Sequence, residues 1–161
     1  MSEITAKETA EKIIKDFDLE VHPEGGCFSE VYTSEAVLDG EDKRHAGGSI
    51  YFLLPPKAIS HYHQIDCEEI WYYHAGCGMK IHIISTDGKV SMQKLGLNVS
   101  EGERPMVVIP KGAIFAAENI NQDGYTFVSC ATVPKFLYSG FRLVDYEELA
   151  GYGVESRLCI K

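Results

Sequence analysis

In the first seventeen positions the apolar residues Ala6, Ala10, Ile13, Ile14 and Phe17 recur every three or four places, the interval that stacks side chains on one helical face. Thr5 with Glu8 makes a T-x-x-E capping box ahead of them, so the pattern predicts a helix within residues 1–20. "HPEGG" (22–26) then stops that periodicity. Downstream the pattern turns strand-like in "CFSEVYTS", "GGSIYFLL", "EIWYYHA", "MKIHIIS", "KVSMQKLG", "RPMVVIP", "AIFAAENI", "YTFVSCATV" and "FRLVDY". These runs are short, rich in β-branched and aromatic residues and divided by turn signals. Asp87-Gly88 and Asp123-Gly124 predict tight hairpin turns. "DGEDKRHAGG" (39–48) reads as a polar loop, and Asp145 with Glu148 caps a short C-terminal helix that stops near Gly151.

The predicted architecture is all-β, a sandwich or barrel of jelly-roll type with a short helix at each end. It forms one domain over 1–161: helix in 1–20, β core in 21–145, tail in 146–161. The 45% hydrophobic and 24% charged residues are ordinary for a soluble chain of 161 residues. No apolar run reaches the roughly eighteen residues of a membrane helix, and "MSEITAKETAEK" has no signal-peptide core, so a cytoplasmic location is expected. With 24 acidic against 15 basic residues, the net charge of -9 argues against nucleic-acid and anionic-membrane partners. The five cysteines form no C-x-x-C pair and read as free thiols. Cys130, in a buried-looking run, is expected to have a raised pKa and to be inert.

Candidate chemistry concentrates in "SHYHQIDCEEIWYYHAG" (60–76). Residues two apart on a strand share a face, so His61 and His63 are expected to project together. Glu69 on the following strand would complete a facial triad suited to Fe(II), Mn, Ni or Zn. The same residues read equally as a metal-free acid–base site or as pocket histidines satisfied by hydrogen bonds. Trp71 shares parity with Glu69 and is expected beside it, as a ligand-binding wall. A buried Glu30 would have a raised pKa and could serve as a base; alternatively it pairs with Arg44 or Arg104 at the surface. Glu24 is expected to cap a turn, and His22, Pro23, Gly25 and Gly26 to serve the backbone. His45, His74 and His82 show no ligand spacing and read as surface or interface residues.

Two motifs carry a family resemblance. His61-x-His63, then Glu69, then Gly76 after six residues, is similar to the first cupin motif. Pro110-Lys111-Gly112, Phe115 and Asn119 resemble the second, with Phe115 standing where that motif has its fourth metal ligand. "HPEGG", "SEVYTS", "SIYFLL", "DCEEIWYYHAG", "VVIPKGAIFAA" and "VPKFLYSGFRL" resemble the cupin-5 branch, a family of unsettled function. The resemblance implies a cupin jelly roll, a homodimer and a small polar, carbohydrate-like ligand inside the fold, with a divalent metal left open. Epimerases of similar fold imply a histidine base oriented by a carboxylate and faced by a tyrosine acid. That analogy makes His63, Glu69, Glu30 and Tyr73 the catalytic candidates, with Asp66 as an alternative orienting carboxylate and Tyr51 and Tyr138 as other phenols. Tyr51, Trp71, Phe115 and Asn119 are the ligand-binding candidates, and His61, His63 and Glu69 the metal ligands. A metal-dependent, dioxygenase-like cupin enzyme built on that triad and a non-catalytic metabolite-binding module remain the alternatives.

Overall fold

A computed structural model describes residues 4–40 and 42–161; Met1 to Glu3, and Glu41 in the predicted polar loop, lie outside the described residues. Helix α1 spans Ala6–Asp16, and its capping box closes in both directions: Thr5 N–H donates to Glu8 Oε2 (2.8 Å) and Glu8 N–H to Thr5 Oγ1 (3.2 Å). Among the described residues twelve strands follow. They are β1 (Glu20–Val21), β2 (Cys27–Thr33), β3 (Gly48–Leu54), β4 (Ile59–Gln64), β5 (Glu68–Gly76), β6 (Met79–Ile84), β7 (Val90–Leu95), β8 (Glu103–Arg104), β9 (Met106–Ile109), β10 (Ile114–Asn119), β11 (Thr126–Val133) and β12 (Arg142–Leu143). Helix α2 (Tyr146–Leu149) is capped by Asp145, whose side chain accepts from Glu148 N–H.

The strands form two six-stranded sheets, in the orders β1-β2-β3-β11-β5-β9 and β12-β4-β10-β6-β7-β8. This is a jelly roll. Alternation builds its core: Met79, Ile81 and Ile83 of β6 turn inward with Phe115 and Ala117 of β10. They meet Phe52, Trp71 and Val128 of the opposite sheet. Burying such side chains contributes roughly 1.5–3 kcal/mol each. The outer face of the second sheet is covered by the C-terminal tail, where Tyr62, Ala116 and Ile84 pack on Val144, Leu149 and Leu158. On the outer face of the first sheet, α1 brings Ala10 and Phe17 against Leu53, Tyr51 and Phe127. No helix among the described residues is long and apolar enough to cross a membrane.

The two Asp-Gly turns part company. Asp87-Gly88 joins β6 to β7 as a hairpin, with Gly88 in the left-handed region at φ 82°. Asp123-Gly124 instead links β10 to β11, which lie in different sheets, so it is not a hairpin. Gly124 is required there by close packing: a Cβ would sit 2.7 Å from Cys77 Sγ. A dipeptide encodes local curvature, and which sheet the next strand joins is decided by the core.

Candidate functional site

The site begins at "HPEGG". Gly25 and Gly26 hold φ values of +108° and +81°, which side-chain-bearing residues rarely adopt. They let the loop press inward: a Cβ on Gly25 would lie 2.0 Å from the Ile59 carbonyl oxygen. The loop is then tied to β4, because the Glu24 carbonyl accepts from His61 N–H (2.7 Å) and meets His61 Nδ1 at 2.8 Å. This docking drives the Glu24 carboxylate into the interior, where it is 6% exposed. Its Oε1 accepts from Ser60 Oγ (2.8 Å) and its Oε2 from His63 Nε2 (2.9 Å). His63 Nδ1 in turn meets the His61 carbonyl at 2.7 Å, and its ring lies against Phe115, centroids 4.1 Å apart. His22 Nδ1 accepts from Glu24 N–H (3.2 Å).

These contacts set the charges. Burial alone would push the Glu24 carboxyl up, but the His63 imidazolium with its hydrogen bond, then His22 and Ser60, hold it below the usual carboxylate range. Burial likewise opposes charge on His63, and Glu24 overcomes it, so the imidazole pKa is raised. His22, which has no such hydrogen-bonded partner, is lowered by burial. Glu69 is also buried; burial first, and repulsion from Glu24 second, push its carboxyl up to about 7, with His63 opposing. The result is one buried ion pair and one carboxyl held neutral into the neutral pH range.

These groups line a cavity between the sheets that opens to solvent. His22, Glu24, His63, Glu69 and Trp71 border it, with Phe28, Phe52, Phe136 and Tyr138 as aromatic walls. Glu30 and Lys135 border it too, as an ion pair of 2.8 Å.

Several sequence-predicted roles change here. His61 does not join His63. The pairing of β4 with β10 slips, Phe115 facing His63 and Ala117 facing Ser60, so His61 and Tyr62 together oppose Ala116. That bulge breaks the two-residue alternation, and Ser60 rather than His61 reaches inward to Glu24 with His63. Among the described residues no three His, Cys, Asp or Glu side chains are grouped to hold a metal ion, so the donors do not fit the predicted triad. Elemental analysis after incubation with Fe(II), Mn, Ni or Zn is expected to find the same metal content in wild type and His61→Ala; a stoichiometric, His61-dependent metal would overturn this.

Glu30 is exposed and its pKa is lowered, first by the Lys135 hydrogen bond, so it is no raised-pKa base; its partner is Lys135, not Arg44 or Arg104. Asp66 does not orient His63, because it binds Arg44 through two hydrogen bonds of 2.8 and 3.0 Å. Tyr73 packs at the core edge and donates its hydroxyl to the Gly76 carbonyl (2.7 Å). Tyr51 lies on the outer face, against Phe17 and Phe127. Phe115 sits behind His63 in the core and is not on the cavity wall. The side-chain amide of Asn119 donates to the Leu54, Pro55 and Gly124 carbonyls and its oxygen accepts from Thr126, which leaves it a structural tie. His45 meets the Ser34 carbonyl, His74 meets Ser129, and His82 meets the buried Glu118.

Glu24 is the residue sequence reasoning missed, and the adjoining glycine pair was the available signal. His22 and Tyr138 border the cavity as well. Cys130 lines it with its thiol pushed well up by burial.

A profile of the cupin-5 family, described as Cupin superfamily (DUF985), matches residues 11–144. An uncharacterised protein of Saccharomyces cerevisiae is 28% identical over 157 residues, covering 88% of this chain and 75% of that protein. Among solved structures, a hypothetical protein from Leishmania major is similar with a TM-score of 0.82 and 33% identity, over 93% of this chain and 96% of that one. A Shewanella oneidensis protein is similar with a TM-score of 0.81 and 41% identity, over 89% of each chain. Oxalate decarboxylase of Bacillus subtilis reaches a TM-score of 0.57 at 18% identity, over 89% of this chain and 37% of that one, a likeness of fold alone.

Proposed function

Since the chain belongs to the cupin-5 family of the cupin superfamily, the jelly roll is the frame for its chemistry, and we propose that its cavity binds a small molecule and moves a proton on it. The reaction class is isomerase- or epimerase-like. The observation that carries this reading is the opposed displacement of two carboxyls in one cavity, Glu24 held ionised and Glu69 pushed up to about 7. Environments that separate two titratable groups in this way are the usual mark of acid–base assignments.

Glu69 has the pKa to take a proton and return it near neutral pH. His63 does not suit the base role predicted for it, because its Nε2 is engaged by Glu24 and its pKa is raised. It is instead the positive charge beside Glu69, placed to favour a developing enolate-like anion. The aromatic residues on the walls suit a ligand with a flat apolar body more than a fully hydroxylated sugar.

The test is proton exchange. α-Hydroxy ketones, β-dicarbonyls and aldoses are incubated with the protein in D2O and followed by NMR. Wild type is expected to exchange a carbon-bound proton on a member of this set, and Glu69→Gln to lose about 10²-fold or more of that rate. Saturable binding without exchange would overturn the catalytic reading and leave a metabolite-binding module.

A further inference from the structure

We infer that the cavity takes a planar, uncharged molecule whose hydrogen-bond acceptor, a carbonyl oxygen or ring nitrogen, reaches the indole N–H of Trp71. The inference rests on the cavity being the binding site proposed above and adds the chemistry of its occupant.

Trp71 carries the argument. The residue is 1% exposed and lines the cavity, yet Nε1 has no hydrogen-bond partner. Buried polar groups are nearly always paired, because an unpaired one keeps the whole cost of leaving water. The Glu69 carboxyl lies near enough for the indole to lower its pKa slightly, but without a bond of normal length and angle. An acceptor that reaches the indole would take the hydrogen bond it lacks, and beside a neutral Glu69 carboxyl it meets no negative charge.

The charges favour a neutral occupant. A cation would suit the aromatic walls and the acidic residues. It brings only donors, however, so it leaves the indole unpaired, and both Glu24 oxygens already accept from His63 and Ser60. An anion brings acceptors but adds negative charge beside Glu24 and Glu69. A neutral planar acceptor meets neither objection, and Phe28, Phe52, Phe136 and Tyr138 give its faces a wall to lie on.

Binding then follows the protonation of Glu69. The titratable and charged groups around that carboxyl are Glu24 and His22 from the loop, His63 from β4, Cys67 just before β5, Cys130 from β11, and the Glu30–Lys135 pair at the wall. Burial holds both thiols neutral, with Cys67 at about 12, and lowers the pKa of His22. Glu24 and His63 are charged as a pair. Glu69, at about 7, changes its charge near neutral pH.

Benzamide and benzamidinium test this, since they share a shape and differ in whether the polar end accepts or only donates. The chain holds one tryptophan, so its single indole N–H resonance reports on this position alone. Benzamide, titrated to about 10 mM, is expected to saturate and move that proton downfield. Its affinity is expected to be level below pH 7 and to weaken toward tenfold per unit above it. Glu69→Gln should bind with no such pH dependence, and Trp71→Phe should lose tenfold or more. Should Trp71→Phe fail to fold, the wild-type indole shift decides. Tighter binding of benzamidinium, binding of benzamide with an unmoved indole, or no benzamide binding would each overturn the inference. If benzamide fails while Glu69 titrates near 7, only the ligand class falls; if Glu69 titrates as an ordinary carboxyl, the acid–base reading falls with it.

Discussion

His63→Ala is expected to destabilise the protein by about 3–5 kcal/mol at pH 6, the loss typical of removing one partner from a buried ion pair. The substitution strands Glu24, 6% exposed, with Ser60 as its remaining hydrogen-bond donor. It also opens a cavity against Phe115. Replacing both partners, as in Glu24→Met with His63→Leu, should recover much of the loss, because the charge is removed along with its counter-charge. The pH dependence identifies the cause. Glu24 is held low, so its contribution is present above the unfolded value of 4.5 and lost as pH falls through the lower folded value. His63 is held high, so its contribution is present below the unfolded 6.5 and lost as pH rises through the higher folded value. The pair's contribution is thus complete between pH 4.5 and 6.5. Urea denaturation of wild type and His63→Ala across pH 4–9 measures this. A difference under about 1 kcal/mol at pH 6 would show that no buried charge depends on the imidazole.

Much of the frame was legible in the chain because it rests on short-range periodicity. The Thr5–Glu8 box, the inward set of β6 and the β6–β7 hairpin need only neighbouring residues and a hydrophobic face. The site was less legible, because its residues depend on departures from periodicity. Strand parity put His61 beside His63, and one extra residue opposite Ala116 undid it. Glu24 lies in no periodic element at all; two positive φ angles and a carbonyl anchored on His61 place it. Strand β4 itself was absent from the predicted runs, since Ser60, His61, His63 and Gln64 make it polar for a strand, and that polarity is what it contributes to the cavity. Trp71 stands at the other extreme. Regular parity along β5 carries it to the cavity with Glu69, but an unpaired indole nitrogen is a property of packing that no spacing encodes.

Glu69→Gln is expected to stabilise the protein at pH 8, by up to about 3 kcal/mol, while changing it little at pH 4.5. In wild type the folded carboxyl titrates at about 7 against 4.5 unfolded. Between those values the native state holds a proton that the unfolded state has released, so stability falls as pH rises, and the fall ends above pH 7. Glutamine keeps the shape of the neutral acid and cannot ionise, so the variant escapes the fall. Its advantage should open across pH 4.5–7. His63 also loses its contribution on the alkaline side, and because an ionised Glu69 helps to hold its pKa up, the variant loses that attraction, which reduces the advantage. A difference in stability that is flat from pH 4.5 to 8, measured by denaturant midpoints, would mean that Glu69 is ionised throughout. The cavity would then carry a net negative charge, and neither the returnable proton nor the neutral acceptor ligand would have a basis. A difference that opens near pH 7 would establish a group held neutral by burial and by Glu24, at some cost to stability. Such a cost is what a site gives up to keep a proton available for transfer.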